Sequence, residues 1–336
     1  MMNKKFFSRM GLTIINKCNQ KCSWCFEGTW KNGETQIMSL ENIKRLLEWK
    51  DWSDGFTPVI FILGGEPTLH PQLLDILDLI TNHNPKISKM LLTNLTCDNM
   101  LLEEVLKRKV VIFANIDQFE PDNNVRNQSK ILENLDYLNT NTGNGFQYNI
   151  SATVSSLEKD FSFLYDILEN GRDKINNLRL APSCVGFEYK NQFQKNFGDE
   201  YFYKVFEVLT ECLKIKPDLH LSTECAINGC MINHKLYEEL KNIGYNLRYV
   251  CGEPEPNADI LPDMSSHWCF ALKGIPEMSI NNVFDYPDYN SMIDTLRAKY
   301  MEFSKKYESK CNVMNCENEQ CKGPCTALNY YYTLNG

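Results

Sequence analysis

Hydrophobic residues in the first two-thirds of the chain follow two alternating patterns. Short apolar runs predict strands, and the stretches between them repeat apolar residues every three or four positions, which predicts helices. The first helix follows Ser39, a good N-cap, and its apolar residues are Leu40, Ile43, Leu46 and Leu47. The predicted strands are Gly11–Asn16, Val59–Leu63, Lys89–Asn94, Val110–Ile116, Gln147–Val154 and Leu178–Pro182. The predicted helices are Leu40–Lys50, Pro71–Asn82, Asn99–Arg108, Asn127–Leu138, Phe161–Asn170 and Asp199–Leu213.

This alternation predicts the fold class. Strands and helices that take turns six times indicate parallel βα units, and six such units form a curved sheet or partial barrel. We therefore predict an α/β protein with a partial (β/α)6 TIM-like barrel over residues 1–215. In such folds the chemistry lies at the carboxyl ends of the strands. From about residue 216 to 336 the periodicity weakens and cysteines accumulate, which predicts a small domain held by metal rather than by a large core.

Composition and charge indicate which classes of partner and which cellular compartment to expect. The chain of 336 residues has 35 Lys and Arg against 43 Asp and Glu, a net charge of −8, which argues against a nucleic-acid partner. Neither a secretory signal nor a membrane-spanning run is visible, so we expect a cytoplasmic protein with no membrane partner. In that compartment, 14 cysteines indicate metal binding rather than disulfides.

Three cysteines follow the first predicted strand at close spacing. Cys18, Cys22 and Cys25 form the pattern C-x3-C-x2-C. Three thiolates on one loop can hold three irons of a cubane cluster and leave the fourth iron open, whereas a closed structural site would need four ligands. An open iron predicts a site for a substrate or cofactor. The alternative is a zinc knuckle that a distant cysteine completes.

A second motif, Gly64-Gly65-Glu66-Pro67, follows the second predicted strand. Two glycines at a strand end let the backbone approach a ligand closely. The alternative is an ordinary turn.

Together these motifs resemble the radical S-adenosylmethionine (SAM) superfamily, over roughly residues 11–215. Cys18, Cys22 and Cys25 match its cluster motif, including an aromatic residue, Trp24, before the last cysteine. The resemblance implies a [4Fe–4S] cluster bound by these three cysteines and by S-adenosyl-L-methionine. It further implies reductive cleavage of that cofactor to a 5′-deoxyadenosyl radical, which abstracts hydrogen from a substrate. Gly64 to Pro67 resemble the motif that holds the cofactor's amino group.

The resemblance also implies cofactor contacts from polar residues of the later strands. The candidates for the ribose and the methionine carboxylate are Asn94, Asn115, Ser151 and Arg179. The alternative is that these residues cap helices or bind water.

Two further cysteines, Cys97 and Cys184, follow the third and sixth predicted strands. Some radical epimerases require a thiol that donates a hydrogen atom to the substrate radical, and these two are the candidates for that role. An ordinary semi-buried cysteine is the alternative at both positions. Cys212 falls in a predicted helix, where a cysteine behaves as a small hydrophobic residue.

Eight cysteines occupy the last third of the chain: Cys225, Cys230, Cys251, Cys269, Cys311, Cys316, Cys321 and Cys325. Eight thiolates are two sets of four, which suits two fully ligated clusters. The set resembles the SPASM or twitch extension of radical SAM enzymes and so implies one or two auxiliary iron–sulfur clusters. In that pattern a glycine lies five positions before a cysteine, and here Met264 occupies this position before Cys269. Structural zinc is the alternative, because thiolates alone do not select the metal.

The resemblance favours a radical enzyme that crosslinks, epimerises or oxidises a peptide or protein. No G-x-G-x-x-G follows a strand, so a flavodoxin or ferredoxin-type partner is expected to supply the electron. Since 17 residues precede Cys18, we expect a leader peptide to be recognised by a separate carrier protein or by the C-terminal extension. The first alternative is dehydrogenation or rearrangement of a small molecule. The second is a non-catalytic iron–sulfur electron carrier or a zinc scaffold.

Overall fold

The computed structural model describes residues 9–22, 25, 34–49, 58–116, 128–141, 147–155, 157, 159–171, 173–182, 199–223, 232–247, 258–308, 326–327 and 330. Its strands are β1 (Arg9–Ile15), β2 (Val59–Gly64), β3 (Ser88–Thr93), β4 (Val110–Asn115), β5 (Tyr148–Val154), β6 (Ile175–Pro182), β7 (His220–Ser222), β8 (Asp259–Ile260), β9 (Ser266–His267) and β10 (Ser279–Ile280). Its helices are α1 (Leu40–Leu47), α2 (Leu73–His83), α3 (Asn99–Lys107), α4 (Gln128–Asn141), α5 (Ser162–Asn170), α6 (Asp199–Ile215), α7 (His234–Asn242) and α8 (Tyr289–Glu308). Among the described helices, none has the length and apolar character that a membrane crossing requires.

The strands form a mostly parallel, open α/β sheet, as predicted for a partial TIM-like barrel. Their order is β10-β9-β8-β1-β2-β3-β4-β5-β6-β7. Strands β1, β2 and β3 pair in parallel, as do β5, β6 and β7, while β8, β9 and β10 pair antiparallel to one another. The chain divides into two compact units, one of residues 1–19, 27–113 and 254–303, the other of residues 20–26, 114–253 and 304–336.

In the first unit, β1 is a central, almost completely buried strand between β2 and β8. The side chain of Asp259 on β8 lies over Gly11, where a Cβ atom would meet its Oδ1 at 1.6 Å. Helix α1 begins as predicted, with the Ser39 side chain accepting a hydrogen bond from the N–H of Asn42. Its buried residues Ile43, Leu46 and Leu47 belong to the core of this unit.

In the second unit, β5 and β6 are joined by the longest register of the sheet, from Tyr148 opposite Ile175 to Val154 opposite Pro182. Strand β7 adds three residues beyond β6. The long helix α6 buries apolar side chains such as Phe202, Val205 and Leu209.

All twelve predicted strands and helices are present, with ends that differ from the prediction by three residues or fewer. Helices α7 and α8 and strands β7 to β10 have no counterpart among the predicted elements. The four strands contain only two or three residues each, too few for an alternating pattern to stand out.

Candidate functional site

The segment that leaves β1 toward the first cysteine is held by backbone hydrogen bonds. The Asn16 N–H donates to the carbonyl of Gln36 at 3.1 Å, and the Gln36 N–H donates to the Asn16 side-chain oxygen at 2.8 Å. The Met38 N–H donates to the carbonyl of Ile14 at 2.8 Å. The half-buried Cys18 therefore follows a segment whose path is fixed by residues 36–38.

The Gly64-Gly65-Glu66-Pro67 motif ends β2 beside the same segment. The Gly65 N–H donates to the Ile15 carbonyl at 3.0 Å, and the Glu66 N–H donates to the Lys17 carbonyl at 2.9 Å. The two predicted motifs are thus joined at the residue immediately before Cys18.

The close approach of these two segments requires both glycines. A Cβ atom on Gly64 would lie 2.6 Å from the carbonyl oxygen of Ile15. One on Gly65 would lie 2.3 Å from the carbonyl oxygen of Lys17 and 2.8 Å from the nitrogen of Cys18. All three distances are well inside van der Waals contact, so any side chain here would displace the backbone that carries Cys18.

Glu66 is completely buried, and its carboxylate is engaged by four donors. Oε1 accepts from the N–H (3.1 Å) and hydroxyl (2.6 Å) of Thr68 and from the Thr93 hydroxyl (2.7 Å), and Oε2 accepts from the Asn94 N–H (2.8 Å). Burial raises the pKa of Glu66 above its ordinary value, and the hydrogen bonds from Asn94, Thr68 and Thr93 act in the opposite direction. The side chain therefore ties the glycine motif to the end of β3.

Asn94, directly after β3, connects this arrangement to the first cysteine. Its side-chain Nδ2 donates to Oδ1 of Asn19 at 2.9 Å and lies 3.9 Å from the Sγ of Cys18. Asn19 in turn donates to the hydroxyl of Thr96 at 2.7 Å.

The other two cysteines of the first motif, Cys22 and Cys25, are also half-buried. The Cys25 N–H donates to the carbonyl of Cys22 at 3.2 Å. Trp24 lies outside the described residues. In the parts of the chain that the structure describes, no three His, Cys, Asp or Glu side chains are placed to hold a single metal ion.

Three of the predicted polar residues form one hydrogen-bonded group in the second unit. Asn115 ends β4, and Ser151 and Arg179 face each other in the register of β5 and β6. The guanidinium of Arg179 donates through Nε to the Ser151 hydroxyl at 2.9 Å and through NH2 to Oδ1 of Asn115 at 3.1 Å. Both acceptors are neutral groups, and the two bonds orient the guanidinium.

The candidate hydrogen-atom donors differ in what the structure describes. Cys97 is buried in the segment between β3 and α3, at the carboxyl end of its strand. Cys184 lies outside the described residues. Cys212 is completely buried in α6, as predicted, and burial raises the pKa of its thiol to about 12.

Among the C-terminal cysteines, only Cys269 lies within the described residues. It is half-buried, at the N-cap of a short 3-10 helix over Phe270–Leu272. Met264, five positions earlier, adopts φ = +65°, a left-handed conformation that favours glycine. The backbone thus has the conformation of a glycine at the position where the auxiliary-cluster pattern carries one. The other seven lie outside the described residues: Cys225, Cys230, Cys251, Cys311, Cys316, Cys321 and Cys325.

Several residues of the site were not predicted. Asn19, Thr93 and Thr96 complete the polar contacts around Glu66 and Asn94. Thr93 lies in the last two residues of the predicted strand Lys89–Asn94, and Thr96 follows that strand by two residues; polar residues at a strand end are a usable signal. Nothing local marks Asn19, whose partner lies 75 residues away.

Comparison with known proteins matches part of the chain to one superfamily. Residues 12–150 match the Radical SAM superfamily. A stretch of 68 residues, 20% of this chain, is 35% identical to the 7,8-dihydro-6-hydroxymethylpterin dimethyltransferase of Methanocaldococcus jannaschii. The match spans only 13% of that relative's length.

Two solved structures share the fold over nearly the whole chain. The structure of native anSMEcpe with bound AdoMet matches 97% of this chain and 94% of its own, with a TM-score of 0.67 and 16% identity. Streptococcus suis SuiB bound to the precursor peptide SuiA matches 98% of this chain and 73% of its own, with a TM-score of 0.64 and 18% identity.

Proposed function

We propose that this protein binds a [4Fe–4S] cluster through Cys18, Cys22 and Cys25, binds S-adenosylmethionine at the open iron, and acts on a peptide or protein. When bound, the cluster and cofactor supply a 5′-deoxyadenosyl radical that removes a hydrogen atom from the substrate. The observation that carries the proposal is the hydrogen bond from the Glu66 N–H to the Lys17 carbonyl. It fixes the glycine motif against the residue before the first cysteine.

The residues present fit such a group. Three thiolates suit three irons of one cluster, because each cysteine binds a different iron. The two glycines keep the backbone of the motif free of side chains where it meets the Cys18 segment, which suits a ligand held by main-chain groups. Since the Glu66 carboxylate is occupied by Thr68, Thr93 and Asn94, we assign the cofactor's amino group to the backbone of the motif.

The group formed by Arg179, Ser151 and Asn115 suits the methionine carboxylate and the ribose. A guanidinium is a planar, charged donor that suits a carboxylate, and the bonds to Ser151 and Asn115 orient that of Arg179. Hydroxyl and amide groups such as those of Ser151 and Asn115 can bind ribose oxygens. Asn94 was also a candidate for cofactor contact, and its side chain contacts Asn19 and Cys18 of the first motif.

A peptide or protein substrate is favoured by one of the similar structures. SuiB was solved with a precursor peptide, and its fold matches 98% of this chain. For such a substrate we expect crosslinking, epimerisation or oxidation of a residue, with Cys97 and Cys184 as candidate hydrogen-atom donors.

A small-molecule substrate is the second candidate. It is favoured by the sequence match to an enzyme named for a pterin, 35% identical over 68 residues. A peptide predicts binding along an open groove, whereas a small molecule predicts an enclosed pocket. Isotope transfer decides between them, since deuterium from the labelled true substrate appears in 5′-deoxyadenosine.

The C-terminal cysteines are proposed to hold one or two auxiliary clusters. The glycine-like backbone of Met264, five residues before Cys269, supports the resemblance on which this proposal rests. A flavodoxin or ferredoxin-type protein is the proposed electron donor, a separate carrier is proposed for a leader peptide, and the cytoplasm is the proposed location.

The test is cofactor cleavage by anaerobically reconstituted protein with dithionite. We expect 5′-deoxyadenosine from the wild type, none from Cys18→Ala, and wild-type amounts from Cys212→Ala, whose thiol is buried in α6. Iron should fall by about four per chain in the Cys18 variant, the content of one cubane cluster. Zinc without 5′-deoxyadenosine in the wild type would instead support a scaffold.

A further inference from the structure

Three side chains beside the first cysteine form a closed ring of hydrogen bonds. The amide of Asn94 donates to Oδ1 of Asn19 at 2.9 Å, and the amide of Asn19 donates to the hydroxyl of Thr96 at 2.7 Å. The Thr96 hydroxyl closes the ring by donating to Oδ1 of Asn94 at 2.6 Å. Each of the three therefore donates once and accepts once within the ring.

The ring fixes which end of the Asn94 amide faces the cysteine. The backbone N–H of Thr96 also points to the amide, at 3.1 Å from Oδ1, and a backbone N–H can only donate. The atom it meets must therefore be the oxygen, so the opposite end, toward Cys18, is the NH2 group. This group donates to Asn19 and also contacts the Cys18 sulfur, which lies 3.9 Å from the nitrogen.

The backbone around Asn94 is held in an uncommon conformation that keeps this side chain in place. The Asn94 N–H donates to Oε2 of the buried Glu66 at 2.8 Å. The next residue, Leu95, is fully buried with φ = +56°, a region that bulky residues rarely adopt, and its N–H donates to the Thr93 hydroxyl at 3.1 Å. Such strained positions persist only where the surroundings hold them.

We propose that Asn94 is a positioning residue that donates an N–H···S hydrogen bond to the Cys18 thiolate and so raises the reduction potential of the cluster. This inference rests on the proposed function, because it needs the cluster at Cys18. A donor to the sulfur stabilises the extra negative charge of the reduced cluster, and hydrogen bonds to the sulfurs are one of the terms that set cluster potentials. Asn94 thus makes the electron that starts the reaction easier to accept.

The test is a redox titration, followed by electron paramagnetic resonance, of the cluster whose signal changes when S-adenosylmethionine is added. Asn94→Asp keeps the oxygen that Thr96 needs and replaces the donor with a second oxygen. Asn94→Leu removes the donor without adding charge. Both variants should have a more negative potential, with the ratio of reduced to oxidised cluster at fixed potential falling roughly threefold to tenfold; tenfold is about 59 mV for a one-electron couple.

The matched control is Asn282→Asp. Asn282 is exposed, and its Oδ1 accepts from the N–H two residues on, that of Phe284, as the Oδ1 of Asn94 does from Thr96. The reduction potential of the cluster in Asn282→Asp should equal that of the wild type. If the Asn94 variants lose the cluster, Thr96→Val replaces them, because it removes one anchor of the amide and should give a smaller negative shift.

The outcomes separate the two proposals. A wild-type protein without a cluster that responds to S-adenosylmethionine would overturn the proposed function and this inference with it. A responsive cluster whose potential is unchanged in Asn94→Leu, or changed only in Asn94→Asp, would overturn the inference alone, because the effect would then be one of charge and not of a donor.

Discussion

A Cβ atom on Gly65 would lie 2.3 Å from the carbonyl oxygen of Lys17. The two residues belong to different strand ends, and their contact aligns the glycine motif with the cysteine motif. We therefore predict that Gly65→Ala displaces the backbone before Cys18 and lowers both stability, by about 1–3 kcal/mol, and iron content. Chemical denaturation and iron analysis of the reconstituted protein measure the two effects.

Gly274→Ala is the control for this change. Gly274 has φ = +82° with open space around its Cα, so alanine there costs about 1 kcal/mol through strain alone. Iron content and 5′-deoxyadenosine formation should stay at the wild-type level. Normal iron binding in Gly65→Ala would show that the contact with Lys17 does not shape the site.

The Arg179 group predicts a graded loss of cofactor affinity. Arg179→Ala removes the charge and the donors, and we expect binding of S-adenosylmethionine to weaken by about 10- to 100-fold. Ser151→Ala removes only the neutral acceptor at 2.9 Å and should weaken binding by about 2- to 10-fold. Ser162→Ala is the matched control, because Ser162 is exposed and its hydroxyl donates to Asp160, two residues away on the surface. Equal affinities for all four proteins would contradict the assignment.

His70 predicts a pH-dependent stability. The Gln72 N–H donates to Nδ1 of His70 at 3.1 Å, so Nδ1 is the acceptor and Nε2 carries the hydrogen that faces the Met38 carbonyl at 3.1 Å. The ring is therefore neutral, and burial lowers its pKa below the ordinary value of 6.5. The unfolded chain takes up a proton at His70 more readily than the folded protein does. The contribution of neutral His70 to the free energy of unfolding is therefore full above pH 6.5 and is lost as the pH falls from there toward the lowered pKa.

Urea denaturation at pH 7.5 and pH 5.5 tests this prediction. The wild type should lose free energy of unfolding over this interval, and His70→Phe should lose less. At pH 7.5 the variant should be less stable by about 1–3 kcal/mol for each buried group left without a partner. An identical slope in His70→Phe would show that His70 is not the group that titrates.

The positive φ of Met264 predicts that glycine is more stabilising than alanine at this position, the reverse of the usual order of stability. Both replacements remove the same buried side chain, but only glycine relieves the strain of φ = +65°. Met264→Gly should therefore be more stable than Met264→Ala by about 1 kcal/mol. At Met100, which is 78% exposed in α3, alanine should instead be the better residue by about 0.5–1 kcal/mol. A more stable alanine variant at Met264 would contradict the left-handed backbone.

The sequence predicts the six βα units well because their apolar residues repeat over long stretches, as in α1. Strands β8, β9 and β10 have two residues each and leave no such pattern. Helix α8 does have one, since Met292, Leu296, Tyr300 and Phe303 are buried at helical spacing. The sequence analysis nevertheless predicts no helix there, because the segment lies in a region rich in cysteine and polar residues.

The candidate site likewise has a part that local sequence patterns predict and a part that they do not. The cysteine and glycine motifs are local patterns, visible in a few consecutive letters. Their joining through Glu66 and Lys17, and the ring of Asn19, Asn94 and Thr96, depend on contacts between residues far apart in the chain. The methionine side chain gives no local sign of the positive φ at Met264, and only the resemblance, which has a glycine at this position, points to it.

In the proposed function, S-adenosylmethionine binds the open iron of a cluster held by Cys18, Cys22 and Cys25. Electron–nuclear double resonance of the reduced protein with the cofactor labelled by ¹⁵N at its amino group tests it most directly. We predict a hyperfine coupling between the label and the cluster, present in Cys212→Ala and absent in Cys18→Ala. A reduced cluster in the wild type that shows no coupling to the labelled cofactor would show that S-adenosylmethionine does not bind the open iron.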